Sequence, residues 1–64
     1  MKLNKNNVYL ALARKKMDVT ELANEYGVSR TRMHSIISSK VVTPKTVGRL
    51  AEILDVDVTE ILEN

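Results

Sequence analysis

Residues 18–40, DVTELANEYGVSRTRMHSIISSK, constrain the fold more than any other stretch, because they carry two helix starts separated by a single glycine. The Asp18 carboxylate can accept from the free N–H groups of a first helical turn, and Glu21 stands where its side chain can return to the cap's own N–H. Met17 before the cap and Leu22 after it have the spacing of a hydrophobic staple. Gly27 can end the helix in the left-handed region without a Cβ penalty. Ser29 is then a second cap, stapled by Val28 and Met33. The pattern predicts helices over Val19–Tyr26 and Arg30–Ser38 across a tight turn.

The flanking sequence continues in the same style. Asn4, Asn6 and Asn7 are alternative caps for a first helix running to about Lys16, with Val8, Ala11, Leu12 and Leu10 as its apolar stripe and Arg14, Lys15 and Lys16 in the last turn, where cations suit the dipole. Leu22, Ala23 and Tyr26 are the expected buried residues of the second helix. Met33, Ile36 and Ile37 recur at helical spacing in the third and leave Arg30, Thr31, His34, Ser35 and Ser38 on the other face. Thr43-Pro44 opens a fourth helix with a cap and a proline at the first position, and Val47, Leu50, Ala51 and Leu54 form its stripe. Gly48 in its middle implies either a close backbone neighbour or a weakened helix. Asp57 with Glu60 and Val56 with Ile61 repeat the capping box and staple for a fifth helix over residues 58–63.

Composition narrows the function classes. A chain of 64 residues is one domain that buries only about 60% of its unfolded surface, which leaves little room for an active-site cavity. It has no cysteine and 1 histidine, so disulfides, thiolate metal sites and cysteine nucleophiles are excluded, and no cofactor or metal is expected. Ser35 and Ser38 stand beside His34, but no acid between Glu25 and Glu52 could orient that histidine, so catalysis is the weakest reading. No apolar run approaches the roughly 20 residues that span a bilayer, and the first residues lack a cleavage pattern, so a cytoplasmic protein with no membrane association is expected. Net charge is only +2, but cations gather at Arg14, Lys15 and Lys16 and again at Arg30, Arg32, Lys40, Lys45 and Arg49. Acids gather around 18–25 and 52–63. One cationic face suits a polyanion.

This order of helices and motifs resembles the Cro/C1-type helix-turn-helix regulators, the xenobiotic-response-element or lambda-repressor-like family. ELA at 21–23, GVSR at 27–30, SSK at 38–40, TP at 43–44 and LAEILDVDVTEIL at 50–62 carry the likeness, which covers nearly the whole chain. The resemblance implies an all-α, five-helix DNA-binding domain over residues 1–64 whose helix-turn-helix is formed by helices 2 and 3. It implies that helix 3 enters the major groove of double-stranded DNA, with Arg30, Thr31, His34 and Ser35 at base edges. An arginine there can donate a bidentate pair to guanine, and the Thr31 methyl can meet a thymine methyl. Phosphate contacts are expected from Arg14, Ser29, Arg32, Ser38, Lys40 and Lys45. Family members commonly bind two-fold operators as homodimers, for which Ile53, Val58, Ile61 and Leu62, with Val41 and Val42 in the linker, offer apolar surface.

Two departures bear on this expectation. Many members begin helix 2 with a phosphate-touching glutamine, where this chain has Val19. Many end helix 3 with asparagine-glycine, where this chain has Ser38-Ser39, and serine in a left-handed conformation costs more than glycine. The expected function is a sequence-specific transcriptional regulator, a repressor or Cro-like switch protein that occupies an operator and takes no small-molecule substrate. The alternative is a protein-interaction module such as an antitoxin or anti-repressor.

Overall fold

In the computed structural model, which describes residues 1–63, the chain forms five α-helices: α1 Lys5–Arg14, α2 Val19–Tyr26, α3 Arg30–Ser38, α4 Pro44–Leu54 and α5 Val58–Ile61. The expected bounds of α2 and α3 and the start of α4 agree with the structure. Three of the connections between these helices share one device. After α1, α2 and α4 a residue turns left-handed, Lys16 at φ 55°, Gly27 at φ 96° and Asp55 at φ 55°. The next residue then donates its N–H back over the final turn: Met17 to the Leu12 carbonyl at 3.0 Å, Val28 to Ala23 at 3.0 Å and Val56 to Ala51 at 3.0 Å. These bonds satisfy carbonyls that a helix end leaves without partners.

The same three apolar residues immediately precede the N-caps Asp18, Ser29 and Asp57. Met17, Val28 and Val56 each pack against the core, so one side chain closes the helix behind it and steadies the start of the helix ahead. The capping boxes expected at Asp18–Glu21 and Asp57–Glu60 both form. Asp18 accepts from Glu21 N–H at 2.8 Å and Glu21 answers to Asp18 N–H at 3.3 Å.

Each helix contributes to one apolar core, with Val8, Leu22, Met33, Leu50 and Ile61 all fully enclosed. Among the described residues no polar or charged side chain is buried. Leu10, expected in the α1 stripe, instead stands 57% exposed; Val8, Ala11 and Leu12 alone face inward. Tyr26 is half-buried rather than enclosed, and its hydroxyl donates to Thr46 Oγ1 at 3.2 Å. Gly48 has open space where a Cβ would stand, so no backbone approach requires it.

The two chain ends differ most from expectation. Leu3 is buried and pairs in an antiparallel bridge with Leu62. Asn4 N–H donates to the Ile61 carbonyl at 2.7 Å and Glu63 N–H to the Lys2 carbonyl at 2.9 Å. Leu62 is therefore extended, and α5 stops at Ile61 rather than near residue 63. Asn4 is the cap of α1, accepting from Asn7 N–H at 3.0 Å, and α1 ends at Arg14 because Lys16 has already turned left-handed. At the end of α3, Ser39 is extended, with φ −65° and ψ 141°, so no serine takes the costly left-handed conformation.

Candidate nucleic-acid interface

The geometry of α3 follows from its buried residues. Met33, Ile36 and Ile37 are enclosed, and at about 100° per residue this places Thr31, Ser35 and Ser38 opposite the core. Arg30 and His34 lie on one flank of that face and Arg32 on the other. Arg30, Thr31, Arg32, Ser35 and Ser38 are exposed and His34 is half-buried. The face thus presents hydroxyls at its centre and guanidinium groups at its edges, the donors that base edges and phosphates accept from.

The turn before α3 sets its direction. Ser29 Oγ accepts from Arg32 N–H at 3.1 Å, which fixes the first turn and still leaves the hydroxyl proton free to donate outward. A second constraint, not visible in sequence spacing, comes from α4. Arg49 donates to the Tyr26 carbonyl at 2.8 Å, at the open C-terminal end of α2, and its guanidinium lies 4.0 Å from the Tyr26 ring centroid. Together with the Tyr26–Thr46 bond, this clamps α4 onto the residue preceding Gly27, where cation–π attraction and a charge-assisted hydrogen bond act on one side chain. Thr43, the α4 cap, joins the same network by donating to Thr46 Oγ1 at 3.1 Å. The start of α4, with exposed Lys45, is thereby held in fixed relation to the helix-turn-helix.

Charge is distributed unevenly. Among the described residues the ion pairs are Lys2–Glu63 at 3.7 Å and Arg14–Glu60 at 3.2 Å. Arg30, Arg32, Lys40 and Lys45 belong to neither and retain an unneutralised positive charge. Arg14 is placed differently from these four: it lies over the hollow between α1 and α5 that Leu10, Val56 and Glu60 help to line. Lys15 likewise turns to α4, donating to the Ile53 carbonyl at 3.1 Å in that helix's last turn. The Glu60 carboxyl is held below the ordinary carboxylate range by the Asp57 backbone N–H and then by Arg14. Asp57 is lowered by the backbone N–H and the hydroxyl of Thr59.

Among the residues expected at a dimer surface, Ile61 requires correction. It is fully buried within its own chain, because the Val56–Ile61 staple and the Asn4–Ile61 bond draw it inward. Ile53 and Leu62 are half-buried and Val58 is 40% exposed. In the linker, Val42 is buried whereas Val41 is 77% exposed. Val19, standing where a phosphate-touching glutamine is common, is half-buried against the core. Among the described residues no helix is long and apolar enough to cross a membrane.

Neither a curated protein nor a solved structure gives a significant match to this chain. The family model for the Cro/C1-type HTH DNA-binding domain, however, matches residues 10–64, spanning every helix from within α1 to the C-terminal segment. Five helices, a glycine turn between α2 and α3, and a cationic exposed face on α3 agree with that match, and the chain belongs to the Cro/C1-type helix-turn-helix DNA-binding family.

Proposed function

We propose that this DNA-binding transcription regulator is sequence-specific, acting as a repressor or Cro-like switch protein that occupies an operator in cytoplasmic double-stranded DNA. The observation that carries the reading is the exposed face of α3, free of acids and centred on Thr31, Ser35 and Ser38 between Arg30 and Arg32. Inserted in a major groove, it sets Arg30, Thr31, His34 and Ser35 toward base edges. Ser29, Arg32, Ser38, Lys40 and Lys45 then reach phosphates on either side. Arg14 reaches a phosphate only by exchanging its exposed pairing with Glu60 for it.

A homodimer supports two-fold operator binding, and Ile53, Val58 and Leu62 are the apolar residues available for it once Ile61 is assigned to the core. Selection of bound duplexes from a random pool, followed by titration of the winners at two salt concentrations, tests the proposal. It predicts an enriched inverted repeat whose affinity falls with salt by close to one log–log unit per phosphate neutralised. Absence of any enriched sequence would overturn it in favour of a protein-interaction module.

A further inference from the structure

The linker between α3 and α4 carries a feature that base reading by α3 alone leaves unused. Val41 is the most exposed large apolar side chain among the described residues, at 77%. A lone exposed valine is ordinary on a protein surface, but three observations set this one apart.

Its backbone is held on both sides. The Ser39 hydroxyl accepts from Val41 N–H at 3.1 Å and donates to the Val41 carbonyl at 2.8 Å, so one side chain grips both polar groups of that residue. The next residue is anchored too, since Val42 is buried and its N–H donates to the Met1 carbonyl at 2.7 Å. Val41 is also in the right place. It lines a groove of about 260 Å³ together with Arg32 and Ser35 of α3 and Thr43 of the α4 cap. Finally, of the apolar residues that line this groove Val41 alone is exposed, Tyr26 and Val28 being half-buried and Ile36 and Val42 buried.

A fixed branched hydrocarbon beside a surface of hydroxyls and guanidinium groups matches one feature of the major groove. Base edges there present donors, acceptors and a single apolar group, the C5 methyl of thymine. We propose that Val41 is a specificity-determining residue that packs on the methyl of a thymine at the flank of the half-site, beyond the bases met by residues 30–35. This rests on the reading of α3 as the helix that enters the groove. The Ser39 clamp removes the ordering cost that a mobile linker would bring to the contact, and the stiff χ1 of valine adds little more.

The test uses the full chain and the duplex it selects. Each thymine is replaced singly by uracil, which deletes only the C5 methyl, and binding is titrated for the wild type, Val41→Ala and Arg30→Ala. Burial of one methyl group corresponds to about a fourfold change in affinity. The wild type should lose about that factor at one flanking thymine. Val41→Ala should lose a similar factor on the intact duplex and become indifferent to uracil at that position, while remaining sensitive elsewhere. Val41→Ile should keep the preference. Thermal midpoints of both Val41 variants should equal the wild type's, because the side chain is outside the core.

If Val41→Ala binds as the wild type does, or keeps the flanking uracil penalty, the contact does not exist. A selected operator with no thymine at the flank excludes it equally. If an operator is selected and Arg30→Ala weakens it while these Val41 results fail, only this assignment falls. If no duplex is selected at all, the DNA-reading role of α3 falls and this contact with it.

Discussion

The connectors at 15–18, 27–29 and 55–57 and the linker at 39–43 solve the same problem, how to end one helix and begin another, in opposite ways. The connectors use a left-handed residue, an apolar residue and a cap, and every step is local. The linker leaves α3 in extended conformation and depends on a distant partner, the Met1 carbonyl, to hold Val42. Both kinds of connection are held, the connectors by bonds within one helix end and the linker by the Ser39 hydroxyl and the Met1 carbonyl. The tight connectors fix the angle at which α3 projects from the body, whereas the linker, freed from closing a helix, can present Val41 and Lys40 outward.

Replacing Gly27 with alanine attacks a connector directly. The space around it is open but its φ of 96° is not, so the variant should lose about 1–2 kcal/mol, read as a lower urea midpoint at unchanged slope. An unchanged midpoint would mean that the turn's geometry is not set by this residue. Gly48 is the contrasting glycine, helical and with nothing near its absent Cβ. Gly48→Ala should therefore raise stability by about 0.4–1 kcal/mol in the same titration, and a loss would contradict the open space around that position.

A smaller effect is expected at Lys16, which takes φ 55° with a Cβ. Lys16→Gly relieves that strain but frees the unfolded chain, leaving a net gain of about 0.5 kcal/mol. If it destabilises, the α1–α2 connector is held by the lysine side chain and not by backbone geometry. The least effect comes from the α5 cap. The carboxyls of Asp57 and Glu60 are lowered in the folded state, so their contribution is present above the ordinary carboxylate range and is lost as pH falls through and below about 4. The thermal midpoint should decline over that acid range, and Glu60→Gln should flatten part of the decline; an identical slope would place the acid sensitivity elsewhere.

The contrast between connectors and linker also explains what was legible in the sequence. Asp18, Gly27, Ser29 and Thr43-Pro44 act on backbone groups within a few residues, so the bounds of α2 and α3 and the start of α4 follow from side-chain chemistry alone. The exposed face of α3 was equally readable, because Met33, Ile36 and Ile37 fix its rotation. Non-local pairing was not. Burial of Leu3 and the early end of α5 depend on a bridge between the two ends of the chain, and the Arg49–Tyr26 clamp joins residues 23 apart in sequence. Ile61 shows two sequence expectations in conflict, since a residue that staples a cap packs inward and has no side left for a partner.

If Arg30 of α3 reads a base while Lys40 in the segment after it grips a phosphate, Arg30→Ala and Lys40→Ala must differ when both are titrated on the selected operator and on unrelated duplex at two salt concentrations. Arg30→Ala should weaken operator binding by about 1–3 kcal/mol, leave unrelated DNA nearly unaffected and keep the fold intact, whereas Lys40→Ala should weaken both DNAs alike and lower the salt slope by about one unit. Unchanged operator affinity in Arg30→Ala, with the operator still preferred over unrelated DNA, would refute this division of labour.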